Sequence, residues 1–143
     1  MKTMIVNIKR LHKDSVIPRY AKDGDAGLDL TATRVWSDDD GNVCYGTGLA
    51  FEIPKGYVGL LFPRSSNAKK DLILSNSVGV LDSGFRGEVT FKFKPQKQGG
   101  KMYEVGDRIG QIIIMPYPEI IFQEVDELSE TERGAGGYGS SGR

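Results

Sequence analysis

Hydrophobic residues recur at every second position in several short segments of the chain. This period of two is the pattern of a β-strand with one buried face and one exposed face. A helix would instead repeat its hydrophobic residues at a spacing of three or four. The segments with strand periodicity are Met4–Ile8, Leu28–Leu30, Leu49–Ile53 and Val89–Phe93.

Two further apolar runs lie in the second half of the chain. Arg108–Met115 is rich in isoleucine, which favours a strand that is covered on both faces. Ile120–Val125 is shorter and closes the series of predicted strands. The chain therefore carries many short strands and little sequence with helical spacing.

Glycine, proline, asparagine and aspartate separate these strands at short intervals. Because such residues mark tight turns, the pattern predicts an all-β fold, a distorted antiparallel β-barrel or jelly roll. One segment alone has helical character, and there Ser66 is predicted to cap a short helix that runs through Asp71. The turn signals are Asp23-Gly24, Asp40-Gly41-Asn42, Pro54-Lys55-Gly56, Gly99-Gly100 and Val105-Gly106-Asp107.

The C-terminal end differs in composition from the rest of the chain. Residues 133–143 are rich in glycine and contain too little apolar surface to fold alone. We therefore divide the chain into a β-barrel domain, 1–132, and a flexible C-terminal tail, 133–143. One interpretation of the tail is a disordered terminus. The other is a flap that orders on a ligand, because its arginines, serines and single aromatic residue among glycines are suited to wrapping a phosphate chain.

Overall charge and rare residues exclude some classes of function. The chain has 143 residues, with 19 Lys and Arg against 19 Asp and Glu, and this balance disfavours sequence-independent binding of nucleic acid. Cys44 and His12 are the only residues of their kinds, so an intrachain disulfide and a Cys/His zinc site are both out of reach. The chain shows neither the apolar core of a signal peptide nor a membrane-spanning run, and we expect a cytoplasmic protein without membrane association.

Four short segments contain the residue types of a phosphate and nucleoside site. Asp25–Leu30 places two carboxylates on one face of a strand. Pro63–Ser66 presents a guanidinium and two hydroxyls at the start of the predicted helix, where anions are favoured. Asn76–Gly87 predicts a strand, a tight hairpin and a second strand, and Gly106–Gln111 leads into the long apolar strand.

The tail also contains Gly134-x-Gly136-x-x-Gly139, which matches the dinucleotide-binding fingerprint in form alone. That fingerprint must follow a strand and open a helix, with an acidic residue downstream. Only four residues follow Gly139, so the match is rejected.

In their order along the chain, the four segments and the tail resemble the five sequence motifs of the trimeric dUTPase family. The resemblance extends from Asp25 to Gly142 and covers nearly the whole chain. It implies a Mg²⁺-dependent homotrimer that hydrolyses dUTP to dUMP and pyrophosphate by attack of water on the α-phosphate. This reaction limits uracil incorporation into DNA and supplies dUMP for thymidylate synthesis. It also implies active sites at subunit contacts, with the tail donated by a third chain.

The resemblance also assigns roles to individual residues. Asp82 matches the general base, and Asp29 matches the acid that holds a Mg²⁺-bound water. Phe85 stands where the family usually has tyrosine, the ring that packs on deoxyribose, so we expect sugar discrimination to persist. The remaining uracil and deoxyribose residues are Asn76, Gly79, Val80, Leu81 and Tyr138, and the phosphate-binding residues are Arg64, Ser65, Ser66, Gln111, Arg133, Gly139, Ser140 and Ser141.

Two other functions stay open at this point. A dCTP deaminase shares the fold and resembles the chain around Asp82-x-x-Phe85-x-Gly87, but Lys92 stands in the place of its catalytic glutamate. A non-catalytic dUTP-binding protein is the second alternative, although the residues of the catalytic motifs are retained. Asp25 is either a structural residue or part of the site.

Overall fold

The computed structural model describes residues 3–142, and its regular structure consists of ten strands and one short helix. The strands are β1 (Asn7–Arg10), β2 (Leu28–Thr31), β3 (Arg34–Ser37), β4 (Val43–Gly46), β5 (Leu49–Glu52), β6 (Tyr57–Phe62), β7 (Leu72–Leu74), β8 (Gly79–Leu81), β9 (Thr90–Pro95) and β10 (Arg108–Pro116). The helix is a single 3₁₀ segment, Ser65–Lys69, between β6 and β7.

Two four-stranded sheets and one two-stranded ribbon make up the fold. The first sheet has the order β2-β10-β6-β8, the second has the order β3-β4-β9-β7, and β1 pairs with β5 in the ribbon. Every strand pairing in residues 3–142 is antiparallel. The predicted all-β, jelly-roll-like fold is therefore confirmed.

The core contains an aromatic cluster that joins the second sheet to the loop before β10. Tyr45 Oη donates a hydrogen bond to the carbonyl oxygen of Tyr103 at 2.8 Å and accepts one from the Tyr103 amide at 3.1 Å. The ring centroids of Tyr45 and Phe93 lie 5.8 Å apart in an edge-to-face arrangement, which favours contact beyond simple burial. Burial raises the pKa of Tyr45, so this buried phenol stays neutral and keeps its proton for Tyr103.

Most of the predicted strands form, with shifted ends. The first begins at Asn7 rather than Met4. The strand predicted at Arg108–Met115 forms as β10, but it is covered on both faces only over its first half, since Ile114 and the residues that follow it are partly or fully exposed.

The strand predicted at Ile120–Val125 is wrong. No helix or strand lies within residues 117–142, and Ile121 and Phe122 are 91% and 93% exposed. The apolar side chains of this segment are instead exposed on the isolated chain. A strand also needs a ladder partner, and the part of the chain that the structure describes supplies none there.

The helix was predicted in the right place but with the wrong cap. It is a 3₁₀ segment that begins at Ser65, so Ser66 lies inside it, and the N-cap residue, Arg64, makes no side-chain cap hydrogen bond. The Asn67 side chain explains why the helix is short, because it donates to the carbonyl oxygen of Leu72 at 3.0 Å and accepts from Tyr103 Oη at 2.9 Å. These bonds turn the chain into β7 after a single helical segment.

The hairpin predicted within Asn76–Gly87 is only partly correct. The turn is present, since the Phe85 amide donates to the carbonyl oxygen of Asp82 at 3.1 Å. However, β8 before the turn pairs with β6, whereas β9 after it pairs with β4 and β7. The turn therefore connects the two sheets and does not close a ladder between its own flanking strands.

Within residues 3–142, no helix has the length and apolar character needed to cross a membrane.

Candidate active site

Asp29, on β2, joins two arginines at one end of the first sheet. Its Oδ1 accepts from Arg64 Nε at 3.1 Å, and its Oδ2 accepts from Arg108 Nη1 at 3.2 Å. Because two guanidinium groups share one carboxylate, the site keeps a net positive charge. Such a site favours an anion with several oxygens, such as a phosphate chain.

The two predicted serines lie next to this pair. Arg64 Nη1 donates to Ser66 Oγ at 3.1 Å, and Ser65 is exposed at the first position of the 3₁₀ helix. Gln111 is fixed on the same side, because its Nε2 donates to the carbonyl oxygen of Pro63 at 2.9 Å. We refer to Asp29, Arg64, Ser65, Ser66 and Gln111 as the Arg64 cluster.

A glycine makes room for the Gln111 side chain. Gln111 pairs with Asp29 across the ladder between β10 and β2. A Cβ atom on Gly27 would lie 2.1 Å from Gln111 Oε1, so a larger residue there would displace the Gln111 amide from this position. The neighbouring Asp25 accepts from the Lys22 amide at 3.0 Å, a turn contact that supports its structural interpretation.

Asp82 and Phe85 lie in an exposed turn that follows β8. We refer to residues 82–87 as the Asp82 turn. A Cβ atom on Gly87 would lie 2.6 Å from the Phe85 ring, so the ring rests directly on the Gly87 backbone. The turn therefore presents a carboxylate and an aromatic face on one short stretch of backbone.

A shallow cavity of about 280 Å³ lies beside Asp82. Two aromatic residues, Tyr57 and Tyr117, line it together with Val58 and the predicted site residue Val80. The Tyr117 amide donates to the carbonyl oxygen of Gly56 at 3.0 Å, which holds the end of β10 near the start of β6. The two tyrosines carry no motif, and only the pairing of β10 with β6 reveals that they are neighbours.

The other predicted residues of this region flank or form β8. Gly79 and Leu81 are buried and pair with Leu61 and Gly59 of β6. A Cβ atom on Gly79 would lie 3.0 Å from the Leu61 side chain, so the two strands approach closely there. Asn76 is exposed in the turn before β8, where its carbonyl oxygen accepts from the Val78 amide at 2.6 Å.

A single chain does not bring Asp82 to the Arg64 cluster. Asp82 follows Leu81, which pairs with Gly59 near the start of β6, whereas Gln111 pairs with Phe62 at the end of that strand. From Val58, which lines the cavity with Asp82, to Phe62 the strand rises about 13 Å, and Arg64 lies farther on. A general base and the phosphate it serves must be within hydrogen-bond reach through one water.

The tail also stays apart from both groups. All hydrogen bonds within residues 131–142 join tail residues to one another, as when Arg133 Nε donates to the carbonyl oxygen of Gly136 at 2.9 Å. Tyr138 is fully exposed, and Gly139, Ser140 and Ser141 are also on the surface. Arg143 lies outside the described residues.

Lys92 argues against the deaminase alternative. It lies on β9, and its Nζ contacts Asp38 Oδ2 at 3.1 Å in the β3–β4 turn. Hydrogen bonds from Asn42, followed by those from Lys92 and Asp40, hold the pKa of the Asp38 carboxyl well below its usual range. Lys92 thus belongs to a structural ion pair.

Comparison with known proteins places this architecture in context. The family model described as dUTPase matches residues 13–142. A deoxyuridine 5'-triphosphate nucleotidohydrolase of Thermobifida fusca is 41% identical over 143 residues, which covers 98% of this chain and 80% of that protein. One from Escherichia phage T5 is 39% identical and covers 96% of this chain and 99% of that protein.

The chain is also similar to dUTPases whose structures have been solved. The dUTPase of Staphylococcus bacteriophage 80alpha, solved with dUPNHPP, superposes with a TM-score of 0.87 at 28% identity. The match covers 99% of this chain and all of the phage chain.

Proposed function

This chain belongs to the dUTPase family, and from that premise we propose that it hydrolyses dUTP to dUMP and pyrophosphate with Asp82 as the general base. The observation that carries the assignment of the base is the Asp82 turn, which presents the Phe85 ring on Gly87 and places the Asp82 carboxylate beside a cavity lined by two tyrosines. The dCTP deaminase alternative is not favoured, because Lys92 is held by Asp38 and the family match is to dUTPases.

Asp82 is suited to activating water. Its side chain is exposed, and its backbone carbonyl closes the turn by accepting from the Phe85 amide, so the carboxylate itself stays available. A carboxylate is a weak base in bulk water, but a fixed one next to an electrophilic α-phosphate is sufficient. The attacking oxygen forms the new P–O bond, its proton passes to Asp82, and pyrophosphate leaves.

Phe85 and the cavity form the nucleoside side of the site. The Phe85 ring is 46% exposed and rests on Gly87, so its free face is available to pack against deoxyribose. Tyr57 and Tyr117 add aromatic walls, while Asn76, Gly79 and Leu81 supply backbone and amide groups around β8. Packing of a 2′-hydroxyl against an apolar ring face is unfavourable, so the site prefers the deoxy sugar.

The Arg64 cluster forms the phosphate side of the site. Asp29 orients Arg64 and Arg108, and Gln111 and the serines provide further polar groups. Arg108 was not among the residues predicted from the motifs. Its contribution follows from its contact with the other oxygen of Asp29.

Mg²⁺ fits this site as a companion of the substrate. Among residues 3–142, no group of three Asp, Glu, His or Cys side chains is placed to hold a metal ion by itself. Asp29 uses one lone pair of each oxygen for an arginine, and a carboxylate has further acceptor capacity for a metal-bound water. When bound with the triphosphate, Mg²⁺ neutralises charge on the phosphate oxygens.

A homotrimer would bring together the parts of the site that lie apart in a single chain. Asp82 and the Arg64 cluster lie at opposite ends of β6, so a complete site needs the cluster of one chain and the Asp82 turn of another. The isolated chain exposes 10799 Å², whereas a compact monomer of this length exposes about 7,300 Å². Much of the apolar surface that neighbouring chains would cover lies beyond β10: Ile120, Ile121, Phe122, Val125 and Leu128.

The tail supplies the third part of the site. Ordering its many glycines costs conformational entropy, so the tail closes only when contacts with the triphosphate and uracil offset that cost. Tyr138 then stacks on uracil, Arg133 binds the γ-phosphate, and the backbone around Ser140 and Ser141 wraps the phosphate chain. Closure excludes bulk water from the reaction.

A turnover assay tests this proposal directly. The purified chain is incubated separately with dUTP and dCTP in the presence of Mg²⁺, and pyrophosphate and ammonia are both measured. We expect pyrophosphate from dUTP and no ammonia from dCTP. Ammonia from dCTP would support the deaminase, and binding of dUTP without any product would support a non-catalytic binding protein.

A further inference from the structure

Glu88 connects the C-terminal end of the Asp82 turn to β3 and to the loop between β4 and β5. Its Oε2 accepts from the Gly48 amide at 2.8 Å, and its Oε1 accepts from Arg34 Nη2 at 2.6 Å. The Glu88 side chain is only 19% exposed, so these charge-assisted bonds are partly protected from solvent. No motif of the sequence marks either Glu88 or Arg34.

The backbone around the bridge is shaped to receive it. A Cβ atom on Gly46 would lie 2.6 Å from Glu88 Oε2 and 2.9 Å from Arg34 Nε, so any other residue would push the two side chains away. Arg34 is held from its other side by Trp36, whose ring centroid lies 4.0 Å from the guanidinium carbon. The glycine at position 46 is thus explained by the bridge.

The residue after Glu88 is fixed as well. The Val89 amide donates to the carbonyl oxygen of Leu49, and its carbonyl oxygen accepts from the Thr47 amide and from Thr47 Oγ1 at 2.7 Å. The other end of the turn is fixed by the pairing of Leu81 with Gly59. Residues 82–87 therefore span two anchors, and the Glu88 side chain adds its own bonds to Gly48 and Arg34 at the second one.

Contacts inside the turn are weaker. Arg86 Nη1 donates to the carbonyl oxygens of Ser83 and Phe85, and its guanidinium lies 3.6 Å from Glu52. Both side chains of the Arg86–Glu52 pair are 54% exposed, and such surface pairs contribute little. The path of the turn thus depends chiefly on its two anchors.

We propose that Glu88, held by Arg34, is a positioning residue that sets where the Asp82 carboxylate and the Phe85 ring meet the substrate. This inference rests on the proposed roles of Asp82 and Phe85. A shift of about 1 Å in a reacting group is enough to cost roughly a hundredfold in rate. The bridge therefore influences both the rate of the reaction and the choice of sugar, although its hydrogen bonds involve neither Asp82 nor Phe85.

The test uses Glu88→Gln in the full-length chain. A glutamine can still accept from the Gly48 amide, but its amide group offers no negative charge to Arg34. We expect kcat for dUTP to fall at least about tenfold and the preference for dUTP over UTP to narrow. Arg34→Met, which keeps an apolar stem over Trp36, is expected to shift both quantities in the same direction, and it carries the test if Glu88→Gln does not fold.

Asp38→Asn is the matched control. Asp38 is 16% exposed, accepts from backbone amides of its own turn and pairs with Lys92, as Glu88 does with Gly48 and Arg34. It lies at the opposite end of the β3–β4 hairpin from Arg34 and Gly46. We expect this variant to change melting temperature while kcat and the dUTP preference stay at wild-type values.

The outcome separates this inference from the proposed function. Wild-type kcat and sugar preference in both Glu88→Gln and Arg34→Met, together with an inactive Asp82→Asn, would overturn the positioning role alone. Full activity in Asp82→Asn would instead overturn the proposed base. A lowered kcat and narrowed preference in both bridge variants, absent in Asp38→Asn, would support the inference.

Discussion

The Asp82 turn and residues 133–142 of the tail both present candidate site residues on exposed, glycine-containing backbone, but the folded domain fixes only the turn at both ends. Before the turn, Leu81 pairs with Gly59 of β6. After the turn, Glu88 accepts hydrogen bonds from Gly48 and Arg34. The hydrogen bonds of residues 131–142 are all local to that segment. Folding therefore positions Asp82, whereas we propose that the substrate positions the tail.

The largest expected loss of activity comes from a substitution in the Asp82 turn. Asp82→Asn keeps the shape of the side chain and removes its proton affinity, so we expect kcat to fall by several orders of magnitude. Binding of the non-hydrolysable analogue dUpNHpp is expected to persist, measured by calorimetry. The exposed Asp39→Asn serves as the control. Near-normal turnover in Asp82→Asn would remove the basis for its assignment as the base.

Removal of the tail is expected to have the next largest effect. A chain that ends at Glu132 loses Arg133 and Tyr138, and we expect kcat to fall by roughly a hundredfold or more. Melting temperature and the affinity for dUMP are expected to change much less, because residues 133–142 add nothing to the buried core. Unchanged turnover would mean that the tail is only a solvated terminus.

A smaller effect separates recognition of the sugar from recognition of the uracil ring. We expect wild-type kcat/KM to favour dUTP over UTP and over dTTP, and Phe85→Ala to weaken the preference against UTP about tenfold or more. The preference against dTTP is expected to change less, because it depends on the backbone around β8. Phe85→Tyr is the control and is expected to behave as wild type. An equal loss of both preferences would contradict the assignment of Phe85 to the sugar.

The smallest effect concerns stability alone. Because the pKa of Asp38 is lower in the folded protein than in the unfolded chain, the folded state binds fewer protons, and stability is lost as pH falls below about 4. We therefore expect the melting temperature of Asp38→Asn to depend less on pH between about 5 and 3 than that of the wild type. A parallel pH dependence in the two proteins would show that Asp38 does not contribute to acid sensitivity.

Features that depend on local sequence were predictable, whereas features that depend on contacts with distant parts of the chain were not. Strands such as Leu28–Thr31 and Leu49–Glu52 follow from local alternation, and local turn signals bound them. Ile120–Val125 has equally apolar sequence but forms no strand, because a ladder depends on a partner that local sequence does not specify. Tertiary contacts with Asn67 likewise decided the end of the 3₁₀ helix.

The candidate site divides along the same line. Motifs located Arg64 and Gln111, and the structure joins them through Pro63 and Asp29. Arg108, Tyr57 and Tyr117 were missed, since their relevance arises from pairing between strands that are distant in sequence. No pattern in one sequence reveals such a register.

The central claim is that no single chain holds a complete site, and mixing two inactive variants tests it most directly. Asp82→Asn and Arg64→Met chains are unfolded together in roughly equal amounts, refolded and assayed for pyrophosphate release. If base and Arg64 cluster come from different chains, half of the turns and half of the clusters are intact, and about one quarter of the sites regain both. We therefore predict about one quarter of wild-type activity in the mixture and almost none in either variant alone. A mixture as inactive as its components would contradict the account, because every chain would then carry a defect in its own complete site.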